Sequence, residues 1–390
     1  MRKLAKAIRW ALVILAVAVT AGILAVYAFV LERPAALPRE EAGMKPHQWY
    51  KLVPDGPVRS GDGSGYYGLL RKGESRNWML FFSGGGVSPD GDSAARPIRL
   101  RNMLLGRPLG YYFANIPFFK LNTLGGMLAA DKPGNPFRDW NIVYLPYTTG
   151  DFHIGNREAH YERQDGSSFT MHYNGRNNVQ AILDKAYATM DAPAKLLIAG
   201  ESAGGFGSAF WAGEIASRFP DSEIYQLADS SFLYSDRWPQ IVEQEWQADF
   251  GERFGFAPDA DLIAAAYRHN ARRLPSNAVL LQCYSLYDEV LISFQNHLNS
   301  RTPGTEPVDL AAWSRELRHS VQTLASDLPN YYYYLTDYGS DMETGMTGHT
   351  FVVGDAFYQT EEEDIRLLTW LDDAVNRGKP YSVGSRFLTE

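Results

Sequence analysis

The sequence predicts an α/β fold: a doubly wound, mostly parallel sheet with helical insertions. Three observations carry this expectation. Short apolar runs recur along the chain, helix-like stretches alternate with them, and at one junction a serine sits between glycines. With 45% hydrophobic residues in 390, the chain can bury a large core and is not of disordered composition.

The runs are Asn77–Ser83, Trp140–Tyr147, Ala194–Gly200, Ser222–Asp229, Asn277–Ser285 and Tyr331–Asp337. Most are continuously apolar rather than alternating, which suits strands buried on both faces. Between them, Asn174–Met190 sets Val179, Ile182, Leu183 and Ala186 on one side, with Asn174 as the expected cap. A second helix follows the serine. Glu361–Arg377 reads as a closing helix, with acids in its first turn and Arg377 near its end, as the helix dipole favours. Residues 231–276 and 295–328 read as helical insertions, and Asp249–Asn277 as part of a cap over a site.

The first residues differ in character. Arg2, Lys3, Lys6 and Arg9 precede an unbroken apolar run, Trp10–Leu31. At about 1.5 Å per residue this run reaches roughly 33 Å, enough to cross a hydrocarbon core of ~30 Å. The expectation is one N-terminal transmembrane helix acting as an uncleaved signal anchor. A cleaved signal peptide is the rival reading, but its apolar region is usually only ~7–15 residues. The basic flank places the bulk of the chain outside the cytoplasm, periplasmic or extracellular. The expected division is a cytoplasmic tip and anchor over 1–31, a Pro-containing stalk over 32–46, and one domain over 47–390. Beyond Leu31 there are 33 basic and 45 acidic residues, so no nucleic-acid partner is expected. Cys283 is the one cysteine, which excludes an intrachain disulfide and reads as a small buried hydrophobe.

Gly200-Glu201-Ser202-Ala203-Gly204 lies where an apolar strand gives way to a helix. This G-x-S-x-G pattern makes a sharp, strained turn that exposes the serine hydroxyl, with the Ala203 N–H aimed at a developing oxyanion. A serine nucleophile needs a base, and the base an orienting acid, in the chain order Ser, acid, His. Of the four histidines after Ser202, His269, His297 and His319 sit in polar helix-like stretches. His349 sits in a Gly-rich loop after the Tyr331–Asp337 run, where the base should arrive. Asp288 and Asp229 each end a strand and are both candidate acids. Asp288 is favoured because its strand immediately precedes the histidine strand. Ser83-Gly84-Gly85-Gly86 supplies a loop able to bring a second oxyanion N–H close. A phosphate cradle would want a lysine and a following helix, and acids follow instead. No metal is expected: there is no HExxH and no paired cysteines, and the Asp151 and His153 pair is weak. No cofactor is expected either.

These pieces resemble the pectin acetylesterase and Notum carboxylesterase family. The similarity lies in MLFFSGGG, NIVYLPYTTGDFHIGN, HYNGRNNVQAILD, LLIAGESAGGFGS, LADSSF, LYDEV and GHTF, in that order between Trp78 and Thr350. It implies a serine carboxylesterase of α/β-hydrolase type, with Ser202 as nucleophile, Asp288 as acid and His349 as base. It places the oxyanion donors on Gly85, Gly86 and Ala203. Two departures stand out: Met346-Thr347-Gly348 where family members carry a cysteine, and Glu201 where they carry a small residue. The implied substrate is an acylated small molecule or polysaccharide, with acetyl the expected acyl group. Acyl transfer by the same triad is the alternative, as is a membrane-anchored binding protein that keeps the fold alone. Trp78, Trp238, Trp246 and the four tyrosines from Tyr331 are candidates for a sugar platform or for core packing.

Overall fold

A computed structural model describes residues 2–25, 30–39, 43–105, 110–300 and 310–389. Its centre is a nine-stranded sheet. The strands are β1 (Ala35–Ala36), β2 (Trp49–Leu52), β3 (Gly68–Arg71), β4 (Trp78–Phe82) and β5 (Asn141–Leu145), then, beyond a hairpin, β8 (Lys195–Glu201), β9 (Glu223–Asp229), β10 (Val279–Ser285) and β11 (Tyr331–Thr336). The hairpin is β6 (Arg157–Glu162) paired with β7 (Ser168–Tyr173). The sheet order is β1-β2-β3-β5-β4-β8-β9-β10-β11. From β5 to β11 all neighbours are parallel, and β3 runs against both β2 and β5. All six expected runs therefore lie side by side in the parallel part.

Their continuous apolarity has a direct cause. Trp78, Leu80 and Phe82 of β4 join one core, while Met79 and Phe81 join another on the opposite face. Leu196 and Ile198 against Leu197 and Ala199 repeat this in β8. Successive side chains point to opposite faces, so a strand covered on both sides needs apolar residues throughout. The helix Ala203–Ser217 lies on the first face and is buried nearly all round. Chain order reverses beside β4, since β5 lies on one side of it and β8 on the other. The carboxyl ends of strands flanking such a switch point form a crevice.

Several expectations are corrected. The Asn174 side chain does not cap its helix (Gly175–Tyr187), because its amide donates to Pro57 O at 3.1 Å and Asn178 Oδ1 at 2.9 Å. The closing helix starts later than expected. Glu361–Glu362 pairs with Ile365–Arg366 as a small hairpin, and the helix begins at Leu367. Arg386 pairs with Glu362 at 2.8 Å and draws that acid away from a helical first turn. The helix Leu262–Arg273 is not a lid. It packs on Ala203–Ser217, with Asn270 donating to Ala209 O at 2.7 Å. Trp78, Trp238, Trp246, Tyr331, Tyr333 and Tyr334 are buried in the two cores and form no platform.

The N-terminal run forms a helix, Arg2–Ala25. Among the described residues no helix is long and apolar enough to cross a membrane, so the transmembrane expectation is not supported by the fold. Within 32–46, Ala35 and Ala36 pair in parallel with Tyr50 and Lys51 and extend the sheet edge.

Candidate active site

β8 ends at Glu201 and a helix begins at Ala203, leaving Ser202 between them with φ 54° and ψ −128°. A non-glycine residue in such a conformation costs about 1–3 kcal/mol, held by its surroundings. Ser202 N–H donates to Asp229 O at 2.8 Å, and Ser231 Oγ donates to Ser202 O at 2.8 Å. The flanking glycines are sterically required: a Cβ on Gly200 would overlap Gly204 O, and one on Gly204 would overlap Phe82 O.

His349 lies after β11, on a loop laced to two strand ends. Ser285 Oγ donates to Gly348 O at 3.1 Å and Thr347 N–H to Tyr287 O at 2.9 Å. On the far side, Phe351 and Val352 N–H donate to Asp229 Oδ2 at 2.7 and 2.9 Å. His349 Nδ1 meets Asp288 Oδ2 at 2.7 Å. The other oxygen of Asp288 accepts the N–H groups of Val290 and Leu291, each at 3.0 Å, and caps the helix Glu289–Asn299. The two candidate acids are thereby separated: Asp288 meets the imidazole, and Asp229 meets the backbone beyond it. Burial alone would lower the His349 pKa, but the carboxylates of Asp288, Glu201 and Asp229, Asp288 foremost, together turn the net shift upward.

Ser202 and His349 line one cavity of about 900 Å³, together with Gly84, Gly85 and Gly86. Among the described residues no hydrogen bond joins the Ser202 hydroxyl to His349, so the geometry is open there. Gly85 and Gly86 have φ of 155° and 92°. Their N–H groups, and that of Ala203 at the helix start, have no protein acceptor among the described residues. The cavity wall carries Arg96, Arg99, Arg101, Glu289, Phe294 and His297, and none of 231–276.

Glu201 and Lys120 also line this cavity, and neither was assigned a role from sequence. Glu201 Oε1 accepts Gly84 N–H at 2.6 Å. The sequence signal for Glu201 was its place inside the motif. Lys120 sits in an undistinguished stretch and gave none. Asp151 and His153 are structural. Asp151 accepts from Thr149 Oγ1 at 2.6 Å and Gly175 N–H at 2.8 Å, and His153 Nε2 donates to Ser83 O at 2.9 Å. Burial lowers the His153 pKa to about 4, so its ring is neutral. Cys283 is buried and free. Among the described residues, His47, Glu74 and Asp139 have metal-ligand spacing, but they lie near the start of β5, and His47 pairs with the two carboxylates at 3.7 and 3.5 Å.

A family model described as Pectinacetylesterase matches residues 59–254, just over half the chain. The chain belongs to the pectinacetylesterase family. That match contains the glycine loop and Ser202 and ends before Asp288 and His349. Membership in the pectinacetylesterase family supports an esterase acting on acyl esters. Comparison with curated proteins gave no match. Two crystal forms of the Wnt deacylase Notum from Drosophila are similar in structure. One is 16% identical, with a TM-score of 0.56 over 85% of this chain and 94% of that one. The other is 17% identical, with a TM-score of 0.57 over 85% and 97%. At this identity the likeness establishes a shared fold, consistent with the α/β-hydrolase type.

Proposed function

We propose that this pectinacetylesterase-family chain is an extracytoplasmic serine carboxylesterase that removes short acyl groups, acetyl above all, from a polar substrate such as a polysaccharide. Ser202 attacks the acyl carbonyl, His349 takes its proton, and Asp288 steadies the imidazolium. The N–H groups of Gly85, Gly86 and Ala203 receive the oxyanion. Collapse of the tetrahedral intermediate expels the alcohol, which takes the proton from His349. Water, activated by the same base, then releases the acid.

One observation carries this reading. The bond from His349 Nδ1 to Asp288 leaves Nε2 as the nitrogen available to Ser202, in a cavity both residues share. The wall supports an ester of a polar alcohol: Arg96, Arg99, Arg101, Lys120 and Glu201 offer polar contacts, beside Ile98, Phe113, Val290 and Phe294, which offer an apolar surface for the acyl group.

Membrane attachment belongs to the same proposal. Trp10, Leu12, Ile14 and Val17 are exposed along the N-terminal helix, which four basic residues accompany. Such a surface favours lipid. The Asn122 side chain accepts from Glu32 N–H and donates to Val30 O. The chain thus joins the domain beside the Lys120–Thr123 turn, whose first residue lines the cavity. In this reading residues 1–31 anchor, 32–46 link and 47–390 catalyse.

The test is turnover of aryl esters of increasing acyl length by the full chain in detergent, with labelling by a fluorophosphonate. Acetate should be preferred, and Ser202→Ala should abolish both turnover and labelling. A folded Ser202→Ala protein that keeps the wild-type rate would end the proposal.

A further inference from the structure

Glu201 stands directly before the candidate nucleophile, and its side chain turns back onto the glycine loop. Its Oε1 accepts the Gly84 N–H at 2.6 Å. A Cβ on Gly84 would fall 2.5 Å from Glu201 Oε2 and 2.6 Å from Ser202 Cβ, so carboxylate, loop and serine are packed without slack. The neighbouring peptides are held by backbone contacts: Ser83 N–H donates to Leu145 O, and Phe113 N–H donates to Gly85 O, each at 3.0 Å. The Gly84 N–H depends on the carboxylate. Three glycines in a row would otherwise have wide backbone freedom at this peptide.

A carboxylate here is a liability unless it has a use. A negative charge beside the oxyanion site opposes the charge that develops in the transition state. Two features limit the damage. The Lys120 ammonium, from the turn Lys120–Thr123, faces the same cavity and acts on Glu201. Burial pushes the Glu201 pKa up to about 7, with Lys120, the Gly84 N–H and His349 opposing that rise and Asp229 adding to it.

We propose that Glu201 is a positioning residue: its carboxylate holds Gly84 so that the Gly85 and Gly86 amides stay aimed at the acyl oxygen, with Lys120 as the countercharge. This rests on the triad reading above. The charged groups around Glu201 are Lys120 from the turn, His349 from its loop and Asp229 from β9. Tyr144 of β5 stands beyond Lys120, whose ammonium is 5.4 Å from that ring. Titration of Glu201 therefore changes the field at both the imidazolium and the oxyanion. It adds a step to the pH profile that the triad alone lacks.

The experiment compares Glu201→Ala, Glu201→Gln and Lys120→Met in the full chain in detergent, using an aryl acetate and circular dichroism as the folding control. Glu201→Ala should lower kcat about tenfold with KM little changed, less than the ~10²–10³ lost when an oxyanion donor is removed outright. Glu201→Gln keeps an acceptor for Gly84. It should restore most of kcat and delete the pH step near 7. Lys120→Met should move that step to higher pH. Wild-type kcat in folded Glu201→Ala would overturn the positioning role, as would a Gln variant as impaired as Ala with an unchanged pH profile. Ser202→Ala, run alongside, separates this from failure of the triad: surviving turnover there would remove the triad itself.

Discussion

Asp288 reaches His349 with one carboxylate oxygen, at 2.7 Å, and caps the helix Glu289–Asn299 with the other. The acid is thus fixed by backbone before it meets the base. Asp229 spends its oxygens on Ser230 Oγ, Phe351 N–H and Val352 N–H. The two aspartates predict opposite phenotypes. Asp288→Asn should lose about 10³-fold or more in kcat with a modest change in melting temperature. Asp229→Asn should retain far more activity but lose about 1–3 kcal/mol of stability, since buried donors lose their charged acceptor. Denaturant melts and steady-state kinetics on both variants check this, and a reversed pattern would transfer the acid to Asp229.

The pH dependence follows from the same pair. His349 must be neutral to accept the serine proton. Burial disfavours its protonated form, but Asp288, with Glu201 and Asp229 adding to it, raises the pKa above the ordinary imidazole value. Turnover should therefore fall as pH drops, with a midpoint above ~6.5. Asp288→Asn removes the foremost of these charges. Glu201 and Asp229 still oppose burial but more weakly, so the midpoint should move down. Stability moves the other way. The raised His349 pKa gives a contribution that is full below the unfolded value and is lost as pH rises through the folded one. A kcat/KM profile of both proteins measures the midpoints, and identical profiles would remove Asp288 as the partner in solution.

Much of this was legible in the sequence for physical reasons. A strand covered on both faces has to be apolar at consecutive residues, so β4, β5 and β8 to β11 announced themselves. An elbow that forces φ to 54° at Ser202 needs small neighbours, and Gly200 and Gly204 supply them. The antiparallel strands beyond β5 were not legible. β2 alternates partly exposed and buried positions over four residues, and β3 ends in Arg71, buried against the carbonyls of Leu128 and Arg138. Nor was the part of the cavity lining that Lys120 supplies. Lys120 reaches it from a 3₁₀ turn whose local sequence has no periodicity to read.

The glycine loop separates a catalytic from a folding effect. A Cβ on Gly85 would meet the Phe113 ring at 3.1 Å and the Tyr147 ring at 3.2 Å, side chains able to give slightly. A Cβ on Gly86 would overlap the Tyr111 carbonyl, which cannot. Gly85→Ala should fold, with some loss of stability because φ is 155° there, and lose about 10²-fold in kcat, the scale of one oxyanion donor displaced. Gly86→Ala, also at positive φ, should lose activity and melt several degrees lower than Gly85→Ala, because of the carbonyl overlap. Equal melting temperatures for the two would show that the Tyr111 segment yields.

The proposed membrane attachment is open to a direct measurement. Four basic residues before the apolar run should hold the N-terminus in the cytoplasm. Alkaline phosphatase fused after residue 40 should be active, and a cytoplasm-only reporter at the same point inactive. The reverse result would invert the orientation. A soluble product with a new N-terminus near Ala28 would replace the anchor with a cleaved leader.

Ser202 makes a last prediction, in which stability and function part. Its backbone has φ 54° and ψ −128°, which glycine adopts with little penalty and serine does not. The strain of about 1–3 kcal/mol is maintained by the Asp229 carbonyl on its N–H and by Ser231 on its carbonyl. Ser202→Gly keeps both of those backbone contacts and releases the strain. Glycine also adds freedom to the unfolded chain, which returns about 0.4–1 kcal/mol. The difference favours the variant, so Ser202→Gly should be about 0.5–2 kcal/mol more stable than wild type while having no esterase turnover. Ser202→Ala keeps the Cβ and with it most of the strain. It should be equally inactive and close to wild type in stability. Chemical denaturation of the three proteins side by side makes the comparison. A Ser202→Gly protein no more stable than Ser202→Ala would mean that the elbow is relaxed in solution, and that the strained geometry at the nucleophile has to be given up.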